Sequence, residues 1–357
     1  MLVRVDRHRL LILPVALLLV ALVVGLKASG LAFASAPMGH LPPKAAPQTA
    51  GTPRYINYAA PNGLGTSAGE PSIGANWNTG KVLFQSYVQT LRVSFDDCSS
   101  PSSATWEDKS VPNSVTSLDP ILFTDHDTGR TFVSQLTGEM SQSNFTDNDG
   151  NTYTPSQGGP INSGVDHQTI GGGPYASAPI TATATYTHSV YYCSQDVGTA
   201  FCALSRNGGL TFDPGIPIYT AAQCGGLHGH VKVGPDGTVY VPNRRCNSTG
   251  PLTYSTQGIA ASTDNGLTWN VYYIGAQNGV NAGGVDPSVG IGSGGRVYMG
   301  LQNNVVEGGV TNSPPYAAIS DDHGQTWHNV QRIGTEFGIK NAVFPAVVAG
   351  DNNRASF

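Results

Sequence analysis

Charged side chains are scarce in this 357-residue chain: they make up 11% of the residues, and 18 are Lys or Arg. Basic residues form few clusters and the formal net charge is −5, which argues against nucleic acid or an anionic membrane surface as a partner. After residue 35 no segment has the period of an amphipathic helix. Together with 45 glycines, this composition favours a turn-rich all-β protein, and a chain of this length can bury one large core.

The first 34 residues have the features of a secretory signal peptide. Arg4, Arg7 and Arg9 precede an apolar run over residues 10–26, and small residues follow up to an A-x-A site at 32–34. We therefore expect a secreted or extracytoplasmic protein. Because the run is long for a signal peptide, the alternative is an uncleaved membrane anchor at residues 10–26, and only this segment would contact a membrane.

Residues 35–64 are predicted to be an Ala- and Pro-rich linker. Within it, residues 54–61 are a candidate closing strand for the domain that follows. That domain is expected to occupy residues 65–357.

An octapeptide recurs in the second half of the chain, as STDNGLTW at 262–269 and SDDHGQTW at 320–327. Weaker copies, SRNGGLTF at 205–212 and TDNDGNTY at 146–153, have Asn in place of Asp at the third position. In such a turn the Asp carboxylate accepts backbone N–H bonds, the Gly supplies a positive φ and the Trp anchors a core. We expect a structural hairpin built on Ser262, Asp264, Gly266 and Trp269, and again on Ser320, Asp322, Gly324 and Trp327.

Each octapeptide follows two short apolar segments that are joined by a Gly-containing turn. These units begin near Glu70, Asp119, His230 and Asp286, and a partial unit begins at Phe344. Strand, turn, strand, linker strand and hairpin give about four strands per repeat. The sequence therefore predicts a six-bladed β-propeller of four-stranded antiparallel blades, with the last blade truncated and incomplete at the C-terminus of this chain.

The octapeptides resemble the Asp-box, or BNR, repeats of the sialidase-like propellers. The resemblance covers roughly residues 65–357 and implies an exo-sialidase type of glycoside hydrolase, although the same box occurs in other glycosidases and in non-catalytic propellers. Sialidases have an Arg-Ile-Pro motif at the first inner strand, whose Arg binds the substrate carboxylate. Here Gly69-Glu70-Pro71 stands in that place, which weakens the expectation of sialic-acid cleavage. No spacing marks Arg92, Arg130, Arg244, Arg245 or Arg296 as a replacement.

Ionisable residues stand where the inner strands are predicted to begin. Glu70, Asp119 and Asp286 each precede a proline, which favours extended backbone at the residue before it. In a propeller such side chains converge around the mouth of the central channel, so these three are our candidates for catalysis. The corresponding places in two other repeats hold the candidate ligand-binding residues Asp166, His167, His228 and His230.

Three roles are open for this cluster: acid and base toward a glycan, ligands to Ca²⁺ or another divalent cation, or solvated residues at the channel rim. His228 and His230 lie two apart on a predicted strand and are expected on the same face, a usable metal-ligand spacing. The cofactor is therefore either absent or a divalent cation.

Five cysteines in an exported chain predict disulfides. Cys193 and Cys202 fit cross-strand neighbours of one hairpin, while Cys224 and Cys246 bracket the inner strands of the fourth repeat. Cys98 is left over. The alternative is five free thiols.

Two functions follow from these features. The first is an exported, sialidase-like glycoside hydrolase acting on extracellular glycans. The alternative is a non-catalytic BNR-repeat propeller that binds a glycan, a protein or a cell-wall component at the cell surface. In either case we expect a monomer.

Overall fold

The computed structural model describes residues 56–61, 63–67, 70–117, 119–137, 140–157, 166–176, 184–196 and 198–357. The predicted signal peptide or anchor, and the linker up to residue 55, lie outside this part of the chain. Tyr58–Phe357 forms one compact unit. Within the described ranges no helix is both long enough and apolar enough to span a bilayer.

Three four-stranded antiparallel sheets form the first half of the unit, and each follows the chain order. Sheet 1 contains β1 (Ser72–Asn76), β2 (Lys81–Ser86), β3 (Gln89–Asp96) and β4 (Ser103–Asp108). Sheet 2 contains β5 (Pro120–Thr124), β6 (Thr131–Leu136), β7 (Ser141–Thr146) and β8 (Thr154–Pro155). Sheet 3 contains β9 (Asp166–Gly173), β10 (Ser189–Gln195), β11 (Ala200–Ser205) and β12 (Ile216–Pro217).

Three further sheets follow the same plan with local variations. Sheet 4 contains β13 (Cys224–His228), the short β14 (Lys232–Val233), β15 (Val239–Gly250), β16 (Thr253–Ser262) and β17 (Asn270–Tyr273). Sheet 5 contains β18 (Ser288–Ile291), β19 (Val297–Gln302), β22 (Pro315–Ser320) and β23 (His328–Arg332), with a hairpin of β20 (Val305–Glu307) and β21 (Val310–Asn312) inserted after β19. Sheet 6 contains β24 (Val348–Asp351) and β25 (Arg354–Ser356). Two 3₁₀ turns occur at Ala276–Asn278 and Thr335–Phe337.

The core lies between the faces of consecutive sheets. Central strands such as β10 are buried along their whole length, as expected for strands covered on both faces. Tyr191 of sheet 3 shares a cluster with Val241 of sheet 4. Ile259 of sheet 4 shares the next cluster with Met299 of sheet 5.

The first strands of consecutive sheets lie side by side and repeat one contact. A hydroxyl on the first strand of one sheet accepts a hydrogen bond from a backbone N–H at the first strand of the next. The three pairs are Ser72 Oγ with Leu122 N at 2.8 Å, Thr169 Oγ1 with Val231 N at 3.2 Å, and Ser288 Oγ with Val347 N at 2.8 Å. The sheets therefore succeed one another as the blades of a propeller do, which confirms the predicted fold class; the count of six blades stays a prediction.

The described part of the candidate closing strand, residues 56–61, contains no strand. Instead, the Tyr58 ring packs against Phe95 with centroids 5.2 Å apart, and its hydroxyl is hydrogen-bonded to Asp97. A side-chain anchor on sheet 1 thus takes the place of the strand pairing that we expected there.

The octapeptide forms the turn between the third and fourth strands of its sheet. Ser262 Oγ donates to Asp264 Oδ1 at 2.8 Å and accepts from Gly266 N at 2.8 Å, while Asp264 Oδ1 accepts from Thr268 N at 2.9 Å. The other three copies make the same bonds, starting at Ser320, Ser205 and Thr146. Asn therefore replaces Asp in this role without loss of the turn.

The octapeptide also joins its sheet to the preceding one. Gly324 has a φ of 86°, and a Cβ there would lie 2.7 Å from Ile259 of sheet 4. The Trp327 side chain is only 8% exposed and belongs to the core between the same two sheets. Trp269 packs in the same way against the core between sheets 3 and 4.

Both predicted disulfides are formed. Cys193 and Cys202 are directly opposite on β10 and β11, and Cys224 and Cys246 are opposite on β13 and β15. Cys98 is an exposed free thiol.

Candidate functional site

A cavity of about 520 Å³ lies where the first strands begin. Each of the six sheets contributes a lining residue, which in sheet 4 lies between β13 and β14 and in the others at or before the first strand: Glu70, Asp119, His167, His230, Asp286 and Phe344. The two acids of sheets 2 and 5 stand directly before prolines that also line the cavity. The structure thus brings all three candidate catalytic acids to one place; their roles stay predictions.

Asp286 is the most enclosed acid of the cavity, with 8% of its surface exposed. Its Oδ2 lies 3.0 Å from His167 Nε2, and its Oδ1 lies 3.5 Å from Arg244 Nη1. Burial opposes the ionised form, but the hydrogen bond and charge of His167, together with Arg244, hold the pKa of Asp286 below its ordinary value. Asp286 is therefore a carboxylate near neutral pH.

The cationic form of His167 is stabilised by the acids around it. Burial disfavours its cation, but the hydrogen bond to Asp286 and the negative charges of Asp286, Asp119 and Asp166 outweigh this, so its pKa is raised. Its backbone has a φ of 50°, in the left-handed region that few side chains adopt. The His167 N–H donates to Asp166 Oδ1 at 2.9 Å in this conformation. Such strain is concentrated at functional positions.

Asp119 differs from Asp286 in its protonation. Burial, with the negative charges of Glu70 and Asp166, raises the pKa of Asp119 to about 6, although His167 and the Gln168 N–H bond oppose this. That N–H lies 3.2 Å from Asp119 Oδ2. The cavity therefore holds one acid that titrates near neutral pH and one that stays ionised.

The two histidines of sheet 4 do not lie on one strand as we expected, although the rings of both lie near the His167 ring. His228 ends β13, is fully buried and donates from Nδ1 to Gly229 O at 2.8 Å, whereas His230 lines the cavity. β13 ends at His228, so the alternation of side chains along that strand does not extend to His230. Burial lowers the pKa of both imidazoles to about 3, so both are neutral.

The expected divalent cation has no ligand set in the described ranges, where no three His, Cys, Asp or Glu side chains are arranged to hold a metal ion. His167 Nε2 faces Asp286. Asp166 is exposed and caps the His167 backbone.

Two residues of the site were missed as site residues. Lys232 lines the cavity, and burial lowers its pKa. In the sequence, Lys232 follows His230 by two residues in a predicted inner strand, and this spacing predicts that the two side chains lie on the same face. Arg244 reaches Asp286 through a fold that sequence spacing does not reveal. Three of the other arginines form ion pairs with acids that do not line the cavity: Arg92 with Glu107, Arg130 with Asp147, and Arg296 with Asp321.

No family model matches the chain, and no curated protein matches its sequence. Among solved structures it is similar to an α-L-arabinanase of Penicillium chrysogenum, with 15% identity, 78% of this chain and 83% of that chain covered, and a TM-score of 0.46. It is similar to the α-L-arabinofuranosidase Arb93A of Fusarium graminearum, with 11% identity, coverages of 78% and 83%, and a TM-score of 0.47. It is also similar to TolB of Acinetobacter baumannii, with 13% identity, coverages of 77% and 56%, and a TM-score of 0.43. At these values, the all-β, propeller-like fold of this chain rests on its own sheets.

Proposed function

We propose that this protein is a glycoside hydrolase that acts on extracellular glycans at the cavity formed by the first strands. The observation that carries the proposal is that Asp119 and Asp286 line one cavity and that their surroundings shift their pKa values in opposite directions. Glycoside hydrolysis needs one protonated and one ionised carboxyl group.

In this proposal Asp119 is the general acid. Its pKa of about 6 keeps part of it protonated near neutral pH, so it can donate a proton to the leaving oxygen. Glu70 supports this role because its negative charge raises the pKa of Asp119. Asp286, held ionised by His167 and Arg244, faces the positive charge that develops on the sugar.

A sialidase type of activity is not favoured. Within the described residues no arginine lines the cavity, and Glu70 stands next to the place of the motif arginine. Lys232 lines the cavity, and burial lowers its pKa. We therefore propose a neutral sugar as substrate.

The disulfides support an extracellular substrate. The two disulfides belong to an oxidising compartment, which agrees with the signal-like segment at residues 1–34.

A non-catalytic role is favoured by one observation: both oxygens of Asp286 already face cations, His167 at 3.0 Å and Arg244 at 3.5 Å. A carboxylate held in this way suits ligand binding as well as catalysis. Under this alternative the same cavity binds a glycan without turnover.

Hydrolysis of a panel of fluorogenic glycosides by the full chain tests the proposal. We expect turnover of at least one neutral glycoside, and a loss of about 10²- to 10⁴-fold in Asp119→Asn and Asp286→Asn. Asp321→Asn, an exposed acid paired with Arg296 just before β19, is the matched control and should retain the rate. No turnover of any glycoside, with saturable sugar binding by wild type, would favour the non-catalytic alternative.

A further inference from the structure

Three buried polar atoms of one cluster make no hydrogen bond within the described residues: His167 Nδ1, His228 Nε2 and Asp286 Oδ1, the last of which has only an ion pair with Arg244 Nη1 at 3.5 Å. His228 is fully buried, and Asp286 is 8% exposed. Buried polar groups in folded proteins nearly always have a partner. Three such atoms, on His167 and on the two side chains that lie next to it, therefore point to a guest that the protein is built to hold.

The protonation of the two rings determines what that guest must offer. His228 donates from Nδ1 to the Gly229 carbonyl, so its Nε2 carries a lone pair and accepts. His167 directs Nε2 at Asp286, and in its cationic form Nδ1–H is a free donor. The cluster thus presents one donor and two acceptors.

The packing leaves the two rings close but not directly bonded. The His167 and His228 rings meet edge to face with centroids 5.2 Å apart. The His230 ring lies at a similar distance from His167, 5.6 Å, and it lines the cavity, which His228 does not. A group that is both donor and acceptor suits the buried pair.

We propose that His167, His228 and Asp286 form a hydroxyl-binding subsite, in which one hydroxyl oxygen accepts from His167 Nδ1–H and donates to His228 Nε2. In the free protein this oxygen belongs to a water molecule, whose second hydrogen is donated to Asp286 Oδ1. In the complex a hydroxyl of a neutral sugar replaces the water. The sugar part rests on the proposed function, whereas the water part does not.

The subsite affects how tightly His167 holds its proton, because a bond from Nδ1–H favours the cation. The groups that face His167 from the neighbouring sheets are Asp119 of sheet 2, His228 and His230 of sheet 4, and Asp286 of sheet 5, with Asp166 beside it in the chain. Arg244 acts through Asp286. His228 and His230 are both neutral, so neither adds a charge beside His167, and only His228 accepts a bond through this oxygen.

Long-range ¹H–¹⁵N spectra of the imidazoles in the labelled full chain, recorded across pH, test the subsite. In wild type we expect His228 to show only the neutral Nδ1–H tautomer. His228→Phe keeps a ring but removes the acceptor, and proton binding by His167 should weaken about tenfold. In the matched control His230→Gln, proton binding by His167 should stay within about twofold.

Two results would overturn the subsite: a His228 Nε2–H tautomer in wild type, which needs no variant to fold, or unchanged proton binding by His167 in folded His228→Phe. Glucose, galactose and arabinose, added separately, distinguish the source of the oxygen. A shift of the His228 Nε2 resonance with any of them supports a sugar hydroxyl, and no shift with all three refutes the sugar part. Because the spectra need no turnover, an inactive protein with the expected tautomer would contradict the proposed activity alone.

Discussion

The two ends of each sheet differ in how closely their residues and hydrogen bonds repeat from one sheet to the next. At the octapeptide end, four turns make the same hydrogen bonds, whether the third residue is Asp264 or Asn207. At the cavity end, corresponding positions hold Glu70, Asp119, His167, His230 and Asp286, five positions with three residue types and different protonation. Because neighbouring strands are antiparallel, the start of the first strand and the turn between the third and fourth strands lie at opposite ends of a sheet. We therefore interpret the end with repeated hydrogen bonds as the scaffold and the end with varied residues as the candidate site.

The largest expected effect concerns pH at the cavity end. If Asp119 is the general acid, the rate on a fluorogenic glycoside falls about tenfold per pH unit above its pKa of about 6. A pH–rate profile of wild type measures this. The residual rate of Asp119→Asn should lack the inflection, and an identical profile in both proteins would remove Asp119 from the acid role.

At the octapeptide end we expect loss of stability. Trp327→Ala removes a side chain that is 8% exposed from the core between sheets 4 and 5, and should lower the free energy of unfolding by about 3–5 kcal/mol. Trp77→Ala, at a position 74% exposed, is the control and should change it by less than about 0.5 kcal/mol. Chemical denaturation compares the two, and equal losses would contradict a scaffold role for the box Trp.

Substitution of Asp119, an acid of the cavity, is expected to raise the free energy of unfolding. The unfolded state releases the Asp119 proton near the ordinary value of 3.8, and the folded state releases it near pKa 6, so stability falls as pH rises between these values. Asp119→Asn removes that loss. It should be more stable than wild type by about 1–2 kcal/mol at pH 8 and equally stable near pH 3.5. Denaturation at both pH values checks this, and a destabilised variant at pH 8 would contradict it.

The smallest effect is expected within the octapeptide. Asp322→Ala removes the acceptor of the Thr326 N–H bond, which is 2.8 Å long, and should lower the unfolding free energy by about 1–2 kcal/mol. Asp322→Asn reproduces the Asn of two natural copies and should cost only about 0.5 kcal/mol or less. Equal losses for both variants would show that the carboxylate charge, not the acceptor, holds the turn.

Much of the fold could be predicted from the sequence because the octapeptide gives the register of each repeat. Ser262 and Ser320 mark the third strands, and the Asp-Pro pairs at 119 and 286 mark the entry to the first strands. Both disulfides followed from strand pairing. These signals are local, so a single sequence carries them.

The arrangement of the site was less accessible. Period-two reasoning placed His228 and His230 on one strand, but β13 ends at His228 and His230 lies beyond it. Arg244 meets Asp286 only because sheets 4 and 5 are adjacent. The different pKa values of Asp119 and Asp286 depend on burial and on His167, which sequence spacing does not determine.

The central claim is that the cavity end of the sheets carries the function and the octapeptide end carries the stability. The most direct test is the rate of hydrolysis of one cleaved fluorogenic glycoside at pH 6 by Asp119→Asn and Asp322→Asn, each relative to wild type. We predict a loss of about 100-fold or more for Asp119→Asn and a rate within about twofold of wild type for Asp322→Asn. A full rate in Asp119→Asn, or an equal loss in both variants, would contradict the claim.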